Sequence, residues 1–191
     1  MTGLIDPTRL PEDLPAPADD GGARHLVPGS RLPDLDLPAT DGTKINLASL
    51  SGRCVLYIYP RTGRPGDELP TGWNAIPGAR GCTPQACGFR DHFSELTALG
   101  VGHLFGLSAQ TGEDQREVAV RLHLPFPLLS DSDLKFSRAL DLPTFAVDGM
   151  TLLKRMALVI DDGAIVKVFY PVFPPDRNAA EVAAWLAGAR R

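Results

Sequence analysis

The run Gly81-Cys82-Thr83-Pro84-Gln85-Ala86-Cys87 sets two thiols five positions apart in a chain with only three cysteines. Pro84 suits the first turn of a helix, because it has no N–H to leave unpaired there. Cys82 is therefore expected at or just before a helix N-terminus. Free amides and the positive end of the helix dipole favour a thiolate at such a position, and the thiolate is the form of cysteine that attacks. On an ideal helix the Cα atoms of Cys82 and Cys87 stand roughly 8–9 Å apart, whereas a disulfide needs about 7 Å or less. A bond between them thus requires the first turn to unwind. Gly88, which costs about 1 kcal/mol relative to alanine inside a helix, eases that step. Spacing alone leaves three uses open: redox or nucleophilic chemistry, two structural thiols, or a metal site with His92. The Cys-x4-Cys-x4-His spacing does not match familiar zinc patterns. Cys54 lies inside an apolar run and is expected in the core.

Positioning these residues requires a strand before the helix. Cys54 to Tyr59 is a continuous apolar, β-favouring run closed by Pro60, as a buried central strand demands. Val101 to Leu107 and Phe126 to Leu129 read as further strands, and Leu152 to Ile160 with Ala164 to Tyr170 as a hairpin around Asp161-Asp162-Gly163. Leu35 to Leu47, turning at Asp41-Gly42, reads as a short hairpin at the sheet margin. Ala86, Phe89, Phe93 and Leu96 recur at three- and four-residue steps, so one helix is expected from Cys82 to a C-cap at Gly100. Helices are also expected over Thr111 to Leu122, Ser132 to Leu140, and from an N-cap at Asn178 to the end. Alternation of strands and helices, then a hairpin and a closing helix, predicts an α/β fold: a central mixed sheet covered on both faces, thioredoxin-like in outline.

The 191 residues suit one domain, and 43% hydrophobic with 22% charged content is enough to bury a core. Residues 1–27 carry Pro7, Pro11, Pro15, Pro17 and Asp19-Asp20-Gly21-Gly22, and are expected as a flexible N-terminal arm ahead of a domain over 28–191. Residues 61–80 hold Gly, Pro and a single Trp in a loop longer than compact domains usually carry, and are expected to cover a site. Nineteen Lys and Arg against 23 Asp and Glu give a net charge of −4 with no basic cluster, which argues against nucleic acid as a partner. No apolar run approaches a membrane span, the N-terminus lacks the pattern of a signal peptide, and three cysteines make no extracellular framework. The expected address is the cytoplasm. His25, His92, His103 and His123 share no spacing and are expected at the surface or satisfied in the core.

Tyr57-Ile-Tyr-Pro60 followed by Gly81-Cys-Thr-Pro-Gln-Ala-Cys-Gly-Phe-Arg-Asp91 resembles the peroxiredoxins of the alkyl hydroperoxide reductase/thiol-specific antioxidant family. The likeness is strongest to the Q-type (bacterioferritin comigratory protein) branch, with its Gly-Cys-Thr-x-x-x-Cys-x-Phe-Arg-Asp signature. Leu32 to Pro38 with Asp41-Gly42 resembles the opening hairpin of that family, and Lys154 to Ile165 its late strand pair, so the resemblance spans roughly residues 27 to 188. It implies a thiol peroxidase without cofactor or metal, acting on hydrogen peroxide and small organic hydroperoxides. Cys82 would be the peroxidatic cysteine and Cys87 the resolving one, joined as an intramolecular disulfide that thioredoxin or a similar dithiol reduces. Arg155 aligns with the active-site arginine, whose fixed charge favours the thiolate and the charge developing on peroxide. Arg90 could hold a neighbouring carboxylate. The assembly would be a monomer or a homodimer.

Two departures stand out. The family pattern Pro-x-x-x-Thr-x-x-Cys has Ala79 in place of its threonine here, and Pro60 is separated from Cys82 by an insertion of about fifteen residues relative to that pattern. Thr62, Thr71 or Thr83 could supply the missing hydroxyl. The alternative function is a non-enzymatic redox sensor or partner-binding module on the same fold.

Overall fold

A computed structural model describes residues 10, 11 and 13–189. In chain order the elements are β1 (Leu37–Pro38), β2 (Lys44–Ile45), β3 (Arg53–Ile58), α1 (Cys82–Asp91), α2 (Phe93–Ala98), β4 (Val101–Ser108), α3 (Gly112–Arg121), β5 (Leu128–Ser130) and α4 (Lys135–Ala139). They continue with β6 (Thr144–Val147), β7 (Met150–Leu153), β8 (Met156–Asp161), β9 (Ala164–Phe169) and α5 (Asn178–Gly188). Single 3-10 turns stand at Trp73–Ala75 and Pro175–Arg177.

The apolar run after Arg53 becomes the middle of a five-stranded sheet ordered β5-β4-β3-β8-β9. β3, β4 and β5 run parallel, while β8 is antiparallel to both β3 and β9, so the sheet is mixed. Side chains alternate along β3. Leu56 and Ile58 join Leu107, Leu158, Ile160 and Phe136 of α4 on one face, which residues near the N-terminus and the β1–β2 hairpin also cover. Val55, Tyr57 and Tyr59 join Phe89 of α1, Val118 of α3, and Val182 and Leu186 of α5 on the other. This is the thioredoxin-like arrangement the alternation implies. Ala23 and Leu26, within the segment expected as an arm, are buried in the first of these clusters; residues 1–9 and 12 of that segment lie outside the described residues.

Several elements differ from their sequence-based outlines. The strand expected over Leu152 to Ile160 is two strands. β7 pairs with β6 in a separate two-stranded sheet, β8 pairs with β3 in the central one, and Lys154-Arg155 is the link between sheets. The helix expected from Cys82 to Gly100 bends at His92, whose backbone (φ −92°, ψ 5°) leaves the helical region, so α1 and α2 are distinct. α4 begins only at Lys135, because Leu134 adopts a left-handed conformation. β5 starts at Leu128, since Pro125 and Pro127 cannot donate to a ladder. Asn178 is not a cap but the first residue of α5, with its side chain fully buried.

Gly163 makes the β8–β9 turn at φ +73°, where an added Cβ would collide with the Ala48 carbonyl oxygen. Left-handed strain and a backbone clash together predict that Gly163→Ala costs about 2–4 kcal/mol in urea unfolding. A loss under about 1 kcal/mol would show that the backbone of Ala48 simply gives way.

Candidate active site

α1 begins where the inserted segment ends. Gly81 precedes it at φ +103°, and a Cβ there would come within 2.5 Å of Pro175, so only glycine makes this turn into the helix. Cys82 is the first helical residue and Pro84 the third. No side chain caps the N-terminus and no acidic residue lies in the first turn, so nothing offsets the positive end of the dipole. Cys82 is 5% exposed.

The inter-sheet link brings Arg155 to this helix start. The side chain is 3% exposed, and its Nη2 lies 3.2 Å from Cys82 Sγ. The same nitrogen donates to the carbonyl oxygens of Gly78 (3.3 Å), Ala79 (3.2 Å) and Arg80 (3.1 Å), which end the inserted segment. Nη1 donates to Gln85 Oε1, and Gln85 Nε2 donates to Asn178 Oδ1 at 2.9 Å. Arg155 therefore ties the inserted segment, α1 and α5 to the sheet. The Cys82 thiol also donates to the Ala79 carbonyl oxygen over 3.7 Å. Ala79, at the threonine position of the family pattern, meets the sulfur through its backbone carbonyl and brings no side-chain hydroxyl to it.

None of the three threonines is a hydrogen-bond partner of that sulfur. Among the described residues its partners are Arg155 and Ala79. Thr62 is buried with its Oγ1 unpartnered, while its backbone N–H and C=O both bond the Gln110 side chain. Thr71 is exposed and Thr83 lies buried in α1.

Cys87 is half-buried on α1, and burial pushes its thiol up against an opposing pull from Arg90. Arg90 holds the Asp91 carboxylate at 2.8 Å and donates to the Leu122 carbonyl, so it ties α1 to the end of α3. His92 Nδ1 bonds the Gly88 carbonyl oxygen, and the described residues contain no His/Cys/Asp/Glu cluster fit for a metal. Cys54 is buried in the core, which drives its thiol strongly upward. All three cysteines are free thiols.

The inserted segment is not featureless. Trp73 in its 3-10 turn is buried with Ala79 against Val147 and Leu152 of the β6–β7 hairpin, and its ring packs on Phe145 at 6.2 Å. The segment thus roofs the start of α1, and Arg155 also walls a cavity of about 280 Å³ beside Gly78 and Phe145. Gln85 and Asn178 escaped the sequence reading. Gln85 sits at a place the motif leaves unspecified, and the buried role of Asn178 depends wholly on tertiary packing.

Residues 27–185 match the model of the Redoxin family. The chain belongs to the peroxiredoxins. This peroxiredoxin is 30% identical over 159 residues to a putative peroxiredoxin bcp of Coxiella burnetii, covering 81% of this chain and 94% of that one. It is 31% identical over 186 residues to the chloroplastic peroxiredoxin Q of Triticum aestivum, covering 94% and 77%. Among solved structures it is similar to peroxidoxin BcpB of Mycobacterium tuberculosis (27% identity, TM-score 0.70, 87% of this chain and all of that one). A PrxQ cysteine-to-serine variant from Xylella fastidiosa shares the fold at 20% identity (TM-score 0.69, 87% and 99% covered). These relatives place the peroxiredoxin in the Q-type branch and its sheet in the thioredoxin-like fold. No helix among the described residues is long and apolar enough to cross a membrane.

Proposed function

We propose that this chain is a thiol peroxidase in which Cys82 is the peroxidatic cysteine, Cys87 the resolving cysteine and Arg155 the group that stabilises charge at the sulfur. The observation that carries this reading is the placement of the Arg155 guanidinium 3.2 Å from Cys82 Sγ at an uncapped helix start. The Cys82 thiolate attacks one oxygen of hydrogen peroxide or a small organic hydroperoxide. An S–O bond forms as the O–O bond breaks, and the departing oxygen takes a proton and leaves as water or an alcohol. The sulfenic acid that remains condenses with the Cys87 thiol, expelling water and forming a disulfide. An external dithiol, thioredoxin or a similar protein, then supplies two electrons and two protons by exchange. Helical geometry between Cys82 and Cys87 requires α1 to open at its first turn before the sulfurs meet.

The test is peroxide treatment of the reduced protein followed by mass measurement and peptide mapping. A loss of two hydrogens, mapped to a Cys82–Cys87 link and reversed by thioredoxin, is the expected result. Oxidation no faster than that of an ordinary free thiol would defeat the proposal.

A second reading, a redox sensor that oxidises once and recycles slowly, is favoured by one feature. Ala79 lacks the hydroxyl that a threonine would offer the sulfur, and the described hydrogen-bond donors to Cys82 Sγ reduce to Arg155. Sustained peroxide consumption with thioredoxin as reductant separates the two: an enzyme completes many cycles, a sensor stalls after one.

A further inference from the structure

The described part of residues 10–20 crosses the start of α1 and the end of the inserted segment, and it meets each at a glycine. The Leu10 side chain packs beside Gly81: a Cβ on that glycine would meet Leu10 Cδ2 at 3.0 Å and Pro175 Cγ at 2.5 Å. Pro17 covers Gly78 in the same way, 3.4 Å from where its Cβ would stand. Pro17 and Ala18 also wall the cavity beside Arg155 and Phe145. At Asp20 the crossing is fastened. Its Oδ2 pairs with Lys154 Nζ, and its Oδ1 accepts from the Tyr170 hydroxyl at 2.6 Å and from the Gly22 N–H at 2.9 Å. Past that fastening the chain is anchored: Ala23 and Leu26 are buried in the core, and His25 Nε2 bonds the Leu140 carbonyl oxygen. The crossing lies ahead of residues 27–185, the part of the chain that matches the family model.

Gly81 is where this crossing bears on the chemistry. Its carbonyl oxygen accepts the first hydrogen bond of α1, from the Gln85 N–H at 3.0 Å. Cys82 meets Cys87 only when that first turn unwinds, and unwinding breaks this bond. Leu10 is half-buried against the glycine that must swing, so opening the turn also sheds the Leu10 contact. A local opening is rarer the more contacts it has to break. We infer that residues 10–20 form a strap, pressed on Gly81 by Leu10 and buckled by Asp20, that holds the first turn of α1 closed and slows the resolving step. The inference rests on the roles proposed above for Cys82 and Cys87. While the turn stays closed, the Cys82 sulfenic acid survives long enough to meet a second peroxide. A second S–O bond then forms as an O–O bond breaks, water leaves, and sulfinic acid replaces the disulfide as the product. The strap thus sets the peroxide level at which recycling gives way to trapped oxidation, with Leu10 and Asp20 as its positioning residues.

The experiment compares Leu10→Ala and Asp20→Ala with the wild type, each as the full-length reduced protein. Rapid mixing with a series of hydrogen peroxide concentrations, quenching by alkylation and mass measurement follow the disulfide and the sulfinic acid. In both variants the rate of disulfide formation, in the range where it no longer depends on peroxide, should rise about three- to tenfold. The peroxide concentration that leaves half of the protein as sulfinic acid should rise in step. Amide hydrogen exchange at the start of α1, measured on the reduced protein without peroxide, should increase by a similar factor. If either variant keeps both the exchange and the disulfide rate of the wild type, residues 10–20 are no strap and the inference falls. Faster exchange with an unchanged disulfide rate, in a protein whose Cys82 does oxidise, overturns it as well. Because exchange needs no peroxide, faster exchange in a protein whose Cys82 fails to oxidise would uphold the strap while removing the peroxidase reading.

Discussion

Arg155→Met is expected to slow the second-order reaction of Cys82 with hydrogen peroxide at neutral pH by about 10²- to 10³-fold, the usual penalty for removing one preorganised donor from a site of developing charge. Methionine roughly preserves the length and apolar stem of arginine, so the inter-sheet link retains much of its packing while the charge 3.2 Å from the sulfur is lost. The carbonyls of residues 78–80 lose their donor as well, which relaxes the roof over the helix start. Arg155→Lys separates these contributions. A lysine keeps the charge, but its compact ammonium cannot span Gln85, three carbonyls and the sulfur as a planar fork does. It should therefore fall between wild type and methionine. Stopped-flow oxidation of the reduced protein gives all three rates, and a loss under about fivefold in the methionine variant would place the charge stabilisation elsewhere.

The parts of this site legible in the sequence are those written in local periodicity. The β3 run, the three- and four-residue steps of α1 and the proline in its first turn suffice to place Cys82 at a helix start beside a central strand. Arg155 is legible only through resemblance, because nothing local marks residues 154–155 as a crossing between two sheets. An apolar run from Leu152 to Ile160 has the same pattern whether it pairs with one partner or two. The bend at His92 and the buried pairing of Asn178 with Gln85 are likewise decisions of tertiary packing, in the second case overriding a good capping residue. The 61–80 segment has no period for a core-facing turn to show in. Its single Trp73 stands out in composition, but nothing local marks it as an anchor.

That anchor carries the second large effect. Trp73 is 5% exposed and, with Ala79, Val147 and Leu152, forms a small cluster separate from the two cores that flank the sheet. Ala79 is fully buried in that cluster, and its carbonyl oxygen accepts from both Arg155 and the Cys82 thiol. Removing the indole thus loosens the peptide that roofs the sulfur. Truncating a buried tryptophan costs about 3–5 kcal/mol. Here the burden falls on a segment that can lift without unfolding the sheet, in the way weakly anchored regions open locally. Among the described residues the one hydrogen bond from this segment to the β6–β7 turn, Thr71 N–H to the Asp148 carboxylate Oδ2 at 2.8 Å, is exposed and holds little by itself. In Trp73→Ala, alkylation of Cys82 by a bulky maleimide and proteolytic cleavage within 61–80 should both rise by about 10²-fold or more, with far-UV circular dichroism retained. Trp73→Phe, which keeps a ring against Phe145, should give a much smaller rise. If Trp73→Ala instead melts as a whole, with no selective gain at Cys82, the inserted segment is an integral layer of the fold rather than a roof hinged over the sulfur. Access to Cys82 would then have to come from the opening of α1 itself.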